Sequence, residues 1–561
     1  MDSVSSKLQS GAVAIVLNSL AGLTFATLTL THWPAAGYAM AALVLLAVVW
    51  RGAHAGGLIS GNVAQIAIAT GLLSRYGLDE PHATASLAIT GVLVVALLVG
   101  VPLLTLKVNA RRLDAGNLLG YSPDRRASRR VAHLQISALV LIAATGLFAI
   151  ASWSLWPIAA LSAAANLAVG AVWLQARRIA GDSARAEMRA ALERFDAAFA
   201  LYFSAPDDTE YHVEMWAPYL ERIGRRWLII TREHNSFKLL TESLGPVVPV
   251  VFCPESDDLN IAITPGLNAV FYVNNGALNA EMVRHHRLTH IQLLHGDSDK
   301  ASSYNPVTAI FDRIFVAGQA GIDRYADNGV HIPHSKFDIV GRPQIETIEV
   351  AKSHISAIED KVVLYASTWV GAFSDTNYSS LSIGEIILTK LLARDVTVIL
   401  RPHPYASRHL VTARHLGRLE RLLAADRAKT GRQHIFGTVA TTEMSFVDCI
   451  NAADALISDV SGVLSDALYS NKPLAVTNMI AALPSAFEEA FPLAKAAYVI
   501  NGVASNIDQV LDDLMAEDPR EEARRKARIH FLGDFDQENY ADAFVSKARS
   551  YTFALEEHAV G

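Results

Sequence analysis

Hydrophobic and polar positions divide the chain into two differently patterned halves near residue 176. Before that point apolar residues run on without a period. The stretches 11–30, 34–50, 56–73, 83–106, 131–151 and 155–174 carry almost no charge, and the third is diluted by glycines and polar residues. A helix that crosses a bilayer takes about 20 apolar residues, so the pattern predicts six spans. Clustered arginines beside long uncharged runs favour spans over the buried bundle of a soluble protein. Beyond the divide, periodicity appears. From Arg185 onward, Met188, Leu192, Phe195, Phe199 and Tyr202 step by three and four, which predicts an amphipathic connecting helix within 177–205. Short apolar runs at 227–230, 247–252, 269–273, 291–294, 314–316 and 337–340 then alternate with helical segments such as 214–223 and 321–325. The alternation breaks near 353–360 and restarts at 362–365, 396–400, 434–436, 455–457, 474–476 and 498–500. Two successive sets of βα units predict two doubly wound α/β domains. The expected organisation is a helical membrane domain (1–176), the connecting helix (177–205) and Rossmann-type domains at 206–352 and 353–561.

Composition sharpens this picture in three places. The hydrophobic share of 51% and mean hydropathy of +0.26 average an apolar half with an ordinary globular one. A net charge of −7 and a pI near 6.3 imply no nucleic-acid partner. The cysteines, Cys253 and Cys449, stand far apart, which excludes a disulfide scaffold or a cysteine zinc site and fits a reducing compartment. Basic residues orient the spans. Lys107, Arg111, Arg112, Arg125, Arg126, Arg129 and Arg130 lie between the fourth and fifth, and Arg177, Arg178, Arg185 and Arg189 follow the sixth. Both sites, the N-terminus, Arg51 and the α/β domains are expected in the cytoplasm. The loop around Asp79 and Glu80 falls outside, with Arg75 as an exception.

Ligands of doubly wound sheets bind beyond the carboxyl ends of the strands, and three such ends carry candidate chemistry. The first is His295-Gly296 with Lys300 after the run 291–294. Gly296 permits a sharp turn, and a histidine there suits a general base. The second is Arg401-Pro402-His403-Pro404, where prolines stiffen a turn whose Arg and His suit a diphosphate. The third runs from Ser458 to Pro473. Ser461, Gly462 and Val463 open a helix whose N–H groups favour phosphate, and Asp459 orients the turn or meets a hydroxyl. Asp466 and Lys472 are open to either a ligand role or a helix-end role. Histidines 285, 286, 290, 331 and 334 form no HExxH pattern, and no metal site is expected. P-loop, GxSxG and GxGxxG signatures are missing, which argues against ATPase, hydrolase and dehydrogenase chemistry.

In order along the chain, these turns resemble the CDP-glycerol glycerophosphotransferase family, which includes the teichoic acid polymerases and primases. The matching residues are His295-Gly296 with Lys300, Gly341-Arg342-Pro343, the segment Val363 to Trp369 ending in Thr368-Trp369, Arg401-Pro402-His403-Pro404, and Ser458-Asp459 to Asp466 with Lys472-Pro473. They cover about 211–478 and leave the apolar half outside. Gly462 replaces the second serine of the family's S-S pair, Ser465 its phenylalanine and Ser367 its proline. The resemblance implies a GT-B fold, a CDP-glycerol or CDP-ribitol donor, no cofactor, and a hydroxyl of a lipid-linked glycan as acceptor. His295, His403 and Asp459 are the implied catalytic residues. Gly296, Lys300, Thr368, Trp369, Arg401, Ser461, Gly462, Asp466 and Lys472 are the implied substrate-binding ones. The expected protein is a multi-pass bacterial cell-membrane transferase of surface polymer synthesis. A GT-B nucleotide-sugar glycosyltransferase and a non-catalytic membrane scaffold are the alternatives.

Overall fold

A computed structural model describes residues 2–54, 62–110, 113–121, 126–179, 182–205, 209–296, 298–370, 377–480 and 483–553. The chain forms two compact units. One comprises 1–195, 231–241 and 245–263; the other comprises 196–230, 242–244 and 264–561.

The first unit holds six helices in its apolar part: α1 (Asp2–Leu30), α2 (Pro34–His54), α3 (Asn62–Asp79), α4 (Thr84–Ala110), α5 (Arg126–Ile150) and α6 (Trp156–Ile179). Four contain segments long and apolar enough to cross a membrane: Val13–Leu30, Thr84–Val108, Arg129–Ile150 and Trp156–Ala176. The six expected spans are therefore corrected to four that meet both criteria among the described residues. The second helix offers a shorter apolar stretch, Pro34–Trp50. The third is described from Asn62 to Asp79, with Arg75 and Asp79 near its end paired with each other, and residues 56–61 of its expected run lie outside the described residues. Its Ala64, Gln65, Ile68, Ala69, Leu72, Leu73 and Tyr76 are buried against neighbouring helices. Arg111, Arg112 and Arg125 of the basic run lie outside the described residues.

Two features of this unit were not foreseen. The connection after α4 contains a short strand, β1 (Asp114–Gly116), which pairs antiparallel with a strand at Val250–Phe252. Asn117, in the left-handed region at φ 59°, anchors that connection through its amide to the carbonyls of Thr241, Gly245 and Val248. The connecting helix α7 (Asp182–Phe195) also stops short of the expected 205. Asp196 takes φ 53°, and Phe199–Phe203 is β2, buried at every position. Both periods fit this stretch, and a run buried on both faces resolves it as a strand.

In the second unit the first sheet uses β2, β3 (Trp227–Thr231), β5 (Ala269–Tyr272), β6 (Thr289–Gln292), β7 (Arg313–Val316) and β8 (Phe337–Ile339); β4 is the Val250–Phe252 strand named above. Its order is β3-β2-β5-β6-β7-β8, with parallel pairing from β2 onward. The second sheet contains β9 (Val362–Ala366), β10 (Thr397–Leu400), β11 (Ala455–Ser458), β12 (Leu474–Asn478) and β13 (Tyr498–Asn501), all parallel in the order β10-β9-β11-β12-β13. The expected strand at 434–436 is reduced to a bridge at Ile435. Two Rossmann-type sheets in one unit agree with a GT-B architecture, and their strand ends carry the candidate residues.

Candidate functional site

The His295 turn is held in a conformation a chain does not adopt unaided. Leu294, two residues beyond β6, takes φ 57°. Its N–H donates to Gln292 Oε1 at 3.0 Å, and its carbonyl accepts from the Trp216 indole at 2.7 Å. Gln292 is fixed in turn, its amide donating to Asn274 O and Asn275 Oδ1. Left-handed backbone at a branched residue costs on the order of 1–3 kcal/mol, and it persists where neighbours over-determine it. The result is that His295 projects from the strand end, open to solvent, with Nδ1 3.2 Å from Val273 O. A carbonyl can only accept, so Nδ1 carries the proton and Nε2 keeps its lone pair. Desolvation of the ring among its neighbours lowers the His295 pKa; the Val273 carbonyl opposes this and the nearby Arg342 charge adds to it. Gly296 has open space where a side chain would start.

His403 is wired the other way. Its own N–H donates to Ser367 O at 2.8 Å, and its Nδ1 accepts the Tyr405 N–H at 3.1 Å. Nδ1 is therefore the bare nitrogen, and Nε2 bears the hydrogen. Burial pushes its pKa down to about 4, with Lys300 and then Arg408 adding to the effect. The ring stacks near Trp369 at 6.2 Å and meets the Tyr405 ring edge-on at 5.1 Å.

Lys300 brings the two turns together. It sits five residues beyond His295 on the first sheet's side, yet its ammonium reaches Thr368 Oγ1 at 3.4 Å and lies 5.1 Å from the Tyr378 ring. Burial lowers its pKa and the Asp459 carboxylate partly restores it. Tyr211 lies near Tyr405; burial first, then Tyr405, raises Tyr211 to about 12.

The remaining expected residues fall elsewhere or do other work. Asp459 is fully buried, accepting from Thr368 N–H at 2.6 Å, Ser380 N–H at 3.2 Å and the Thr477 hydroxyl at 2.6 Å. Burial raises its pKa against those hydrogen bonds. It ties three segments together near Lys300, an arrangement that gives it a positioning role. Arg401 turns away: its Nη1 donates to Ala440 O and to Met444 O at 2.8 Å, close to Cys449 Sγ. It braces the Val439–Glu443 turn where a phosphate ligand was expected. Lys472 donates to Ile450 O at 2.9 Å and Asn451 O at 3.1 Å, so it closes the C-terminal end of the Phe446–Ala452 helix. Asp466 pairs with Arg342, both buried. The helix after Ser461 spans only Gly462–Ala467, and Ser461 directs its hydroxyl to Asp459 O and Ser458 Oγ without capping it.

The sequence reading missed His212, Tyr211, Trp216, Tyr405 and Arg342. Arg342 stood inside a quoted motif and carried its own signal. The others sit in stretches with no motif, and only the fold brings them to the strand ends.

No curated protein matches the sequence. Among solved structures, a glycosyltransferase from Rickettsia africae is 13% identical and covers 63% of this chain and 97% of its own, at a TM-score of 0.41. A putative UDP-N-acetylglucosamine 2-epimerase from Listeria monocytogenes is 10% identical over 63% of this chain and 96% of its own, at 0.43. The wall teichoic acid polymerase TagF is 12% identical over 65% of this chain and 94% of its own, at 0.39. The family match covers β8 and the strands β9–β12 of the second sheet, and leaves β13, His295, Lys300 and the helices α1–α6 outside. Residues 332–479 match the CDP-glycerol:poly(glycerophosphate) glycerophosphotransferase family, the one that the ordered turns of the sequence resemble.

Proposed function

We propose that the protein transfers glycerol phosphate, or ribitol phosphate, from a CDP-alditol to a hydroxyl of a lipid-linked glycan, with the helices α1–α6 holding it at the cytoplasmic face of a bacterial membrane. The observation that carries this reading is Lys300, a cation that bears on the neutral His403 and follows the His295 turn by five residues, the two histidines carrying their hydrogens on opposite ring nitrogens. His295 Nε2 takes the proton of the acceptor hydroxyl. The hydroxyl oxygen attacks the phosphorus that bears the alditol, and the bond from that phosphorus to the CMP oxygen breaks. CMP departs with the electron pair. Lys300 and the His403 Nε2–H offset charge on the diphosphate, while Asp459 and Thr368 fix Lys300. This is positioning and electrostatic stabilisation of a phosphoryl transfer, and the proposal gives no step to a metal or other cofactor.

The test is titration of the full-length protein in detergent with CDP-glycerol, CDP-ribitol and UDP-sugars, wild type beside His403→Ala. Tight binding of one CDP-alditol, weakened about 10-fold or more in the variant, supports the reading; loss of one charge-directed hydrogen bond is worth that much. Preferential binding of UDP-sugars replaces it with glycosyl transfer. Folded protein that binds neither refutes a nucleotide-dependent role.

A further inference from the structure

The transfer step leaves one buried group at the site unused. His212 lies in the single helical turn Tyr211–Glu214 and is 6% exposed. Its ring lies flat against His295, with centroids 3.8 Å apart and 13° between the planes. The Tyr211 ring meets it edge-on at 4.3 Å. Among the described residues neither ring nitrogen of His212 has a hydrogen-bond partner. A buried polar atom without a partner costs about 1–3 kcal/mol. A phenylalanine would fill the same space and stack on His295 without that cost, so packing alone does not account for an imidazole here. Burial, and then His295 beside it, lowers the pKa to about 3, so the ring is neutral and offers one N–H and one bare nitrogen.

A face-to-face stack sets the edges of two rings one stacking distance apart. That distance is comparable to the separation of two oxygens on adjacent carbons. We propose that His212 and His295 form a two-imidazole clamp for an acceptor that ends in a vicinal diol: His295 takes the hydroxyl that reacts, and His212 takes its neighbour. The clamp rests on the transfer reading above. It gives one of the two unpartnered His212 nitrogens a ligand, and it makes the acceptor end-group, alongside the nucleotide, a determinant of specificity. His212 acts by holding substrate, and the proton leaves through His295.

The test uses the full-length protein in detergent with the CDP-alditol that it turns over. Glycerol 3-phosphate, which carries a vicinal diol, is compared as acceptor with 3-hydroxypropyl phosphate, which keeps the primary hydroxyl and lacks its neighbour. Wild type is expected to favour the diol by about 10- to 100-fold in kcat/KM, the scale for one buried hydrogen bond to substrate. His212→Phe, which keeps the stack and removes both nitrogens, is expected to raise the KM for glycerol 3-phosphate and erase the preference, with the donor Kd unchanged. His212→Gln restores part of the preference, which a purely structural role for the ring would not allow. Wild type that transfers to both acceptors equally, or His212→Phe that retains the preference, overturns the clamp. Wild type that transfers nothing from any CDP-alditol overturns the transfer reading itself.

Discussion

His295 and His403 each stand just past the end of a parallel strand, and both are neutral near pH 7, yet their backbones assign them opposite roles. At His295 a carbonyl, Val273 O, takes the Nδ1 hydrogen and leaves Nε2 basic. At His403 an N–H, that of Tyr405, occupies Nδ1 and leaves Nε2–H as a donor. Two identical side chains thus become an acceptor and a donor through one backbone contact each. The difference teaches that the residue type in such a turn fixes little; the partner at the far nitrogen fixes what it can do.

The sharpest way to break this comparison is to put glutamine at both positions, since its side-chain amide can donate where Nε2–H did but cannot act as a base. His295→Gln is expected to lose about 100- to 10,000-fold in kcat, the usual contribution of a positioned base. His403→Gln keeps a donor and is expected to lose about 10-fold, with His403→Ala losing more. Single-turnover transfer rates on folded variants decide it. Equal losses at the two positions would mean that the hydrogen placement read from Val273 and Tyr405 does not govern the chemistry.

A middle-sized effect separates the two turns by their cations. Lys300 faces the junction, whereas Arg401 braces the core. Arg401→Ala strips the Ala440 and Met444 carbonyls of their partner, which costs about 2 kcal/mol of stability for buried groups with a charged donor. The expected outcome is a lower Tm with donor Kd unchanged when folded. Unchanged Tm with lost CDP-glycerol binding would return Arg401 to the phosphate and sink its bracing role.

The same contrast measures what the sequence could convey. The strand ends and their turns were legible because apolar runs closing in His-Gly or Arg-Pro-His-Pro mark where a parallel strand meets solvent. The direction of a side chain was not legible. Arg401 and His403 are two residues apart, yet one enters the core and the other the site, and that depends on a turn some forty residues away at Val439–Glu443. Asp459 was read as a polar group at the strand end, and its burial depends on Thr368, Ser380 and Thr477 converging from three segments. His212 carried no signal at all, since its meaning comes from a ring eighty-three residues on.

The smallest expected effect concerns the residue for which ligand and structural roles were both open. Lys472 is half-buried, and burial lowers its pKa while Asp454 and Glu349 partly restore it. Its ammonium closes two carbonyls at the negative end of the Phe446–Ala452 helix. Lys472→Met keeps the aliphatic stem and removes the charge. Loss of the helix-end contacts costs about 0.3–1 kcal/mol, and relief of the ammonium's desolvation offsets part of it. Thermal melts are therefore expected to shift by no more than a few degrees, with the KM for the donor within about two-fold of wild type. A donor KM raised ten-fold at an unchanged Tm would instead place the ammonium on the substrate and would make the turn before β12, alongside those of His295 and His403, a third chemical contributor to the site.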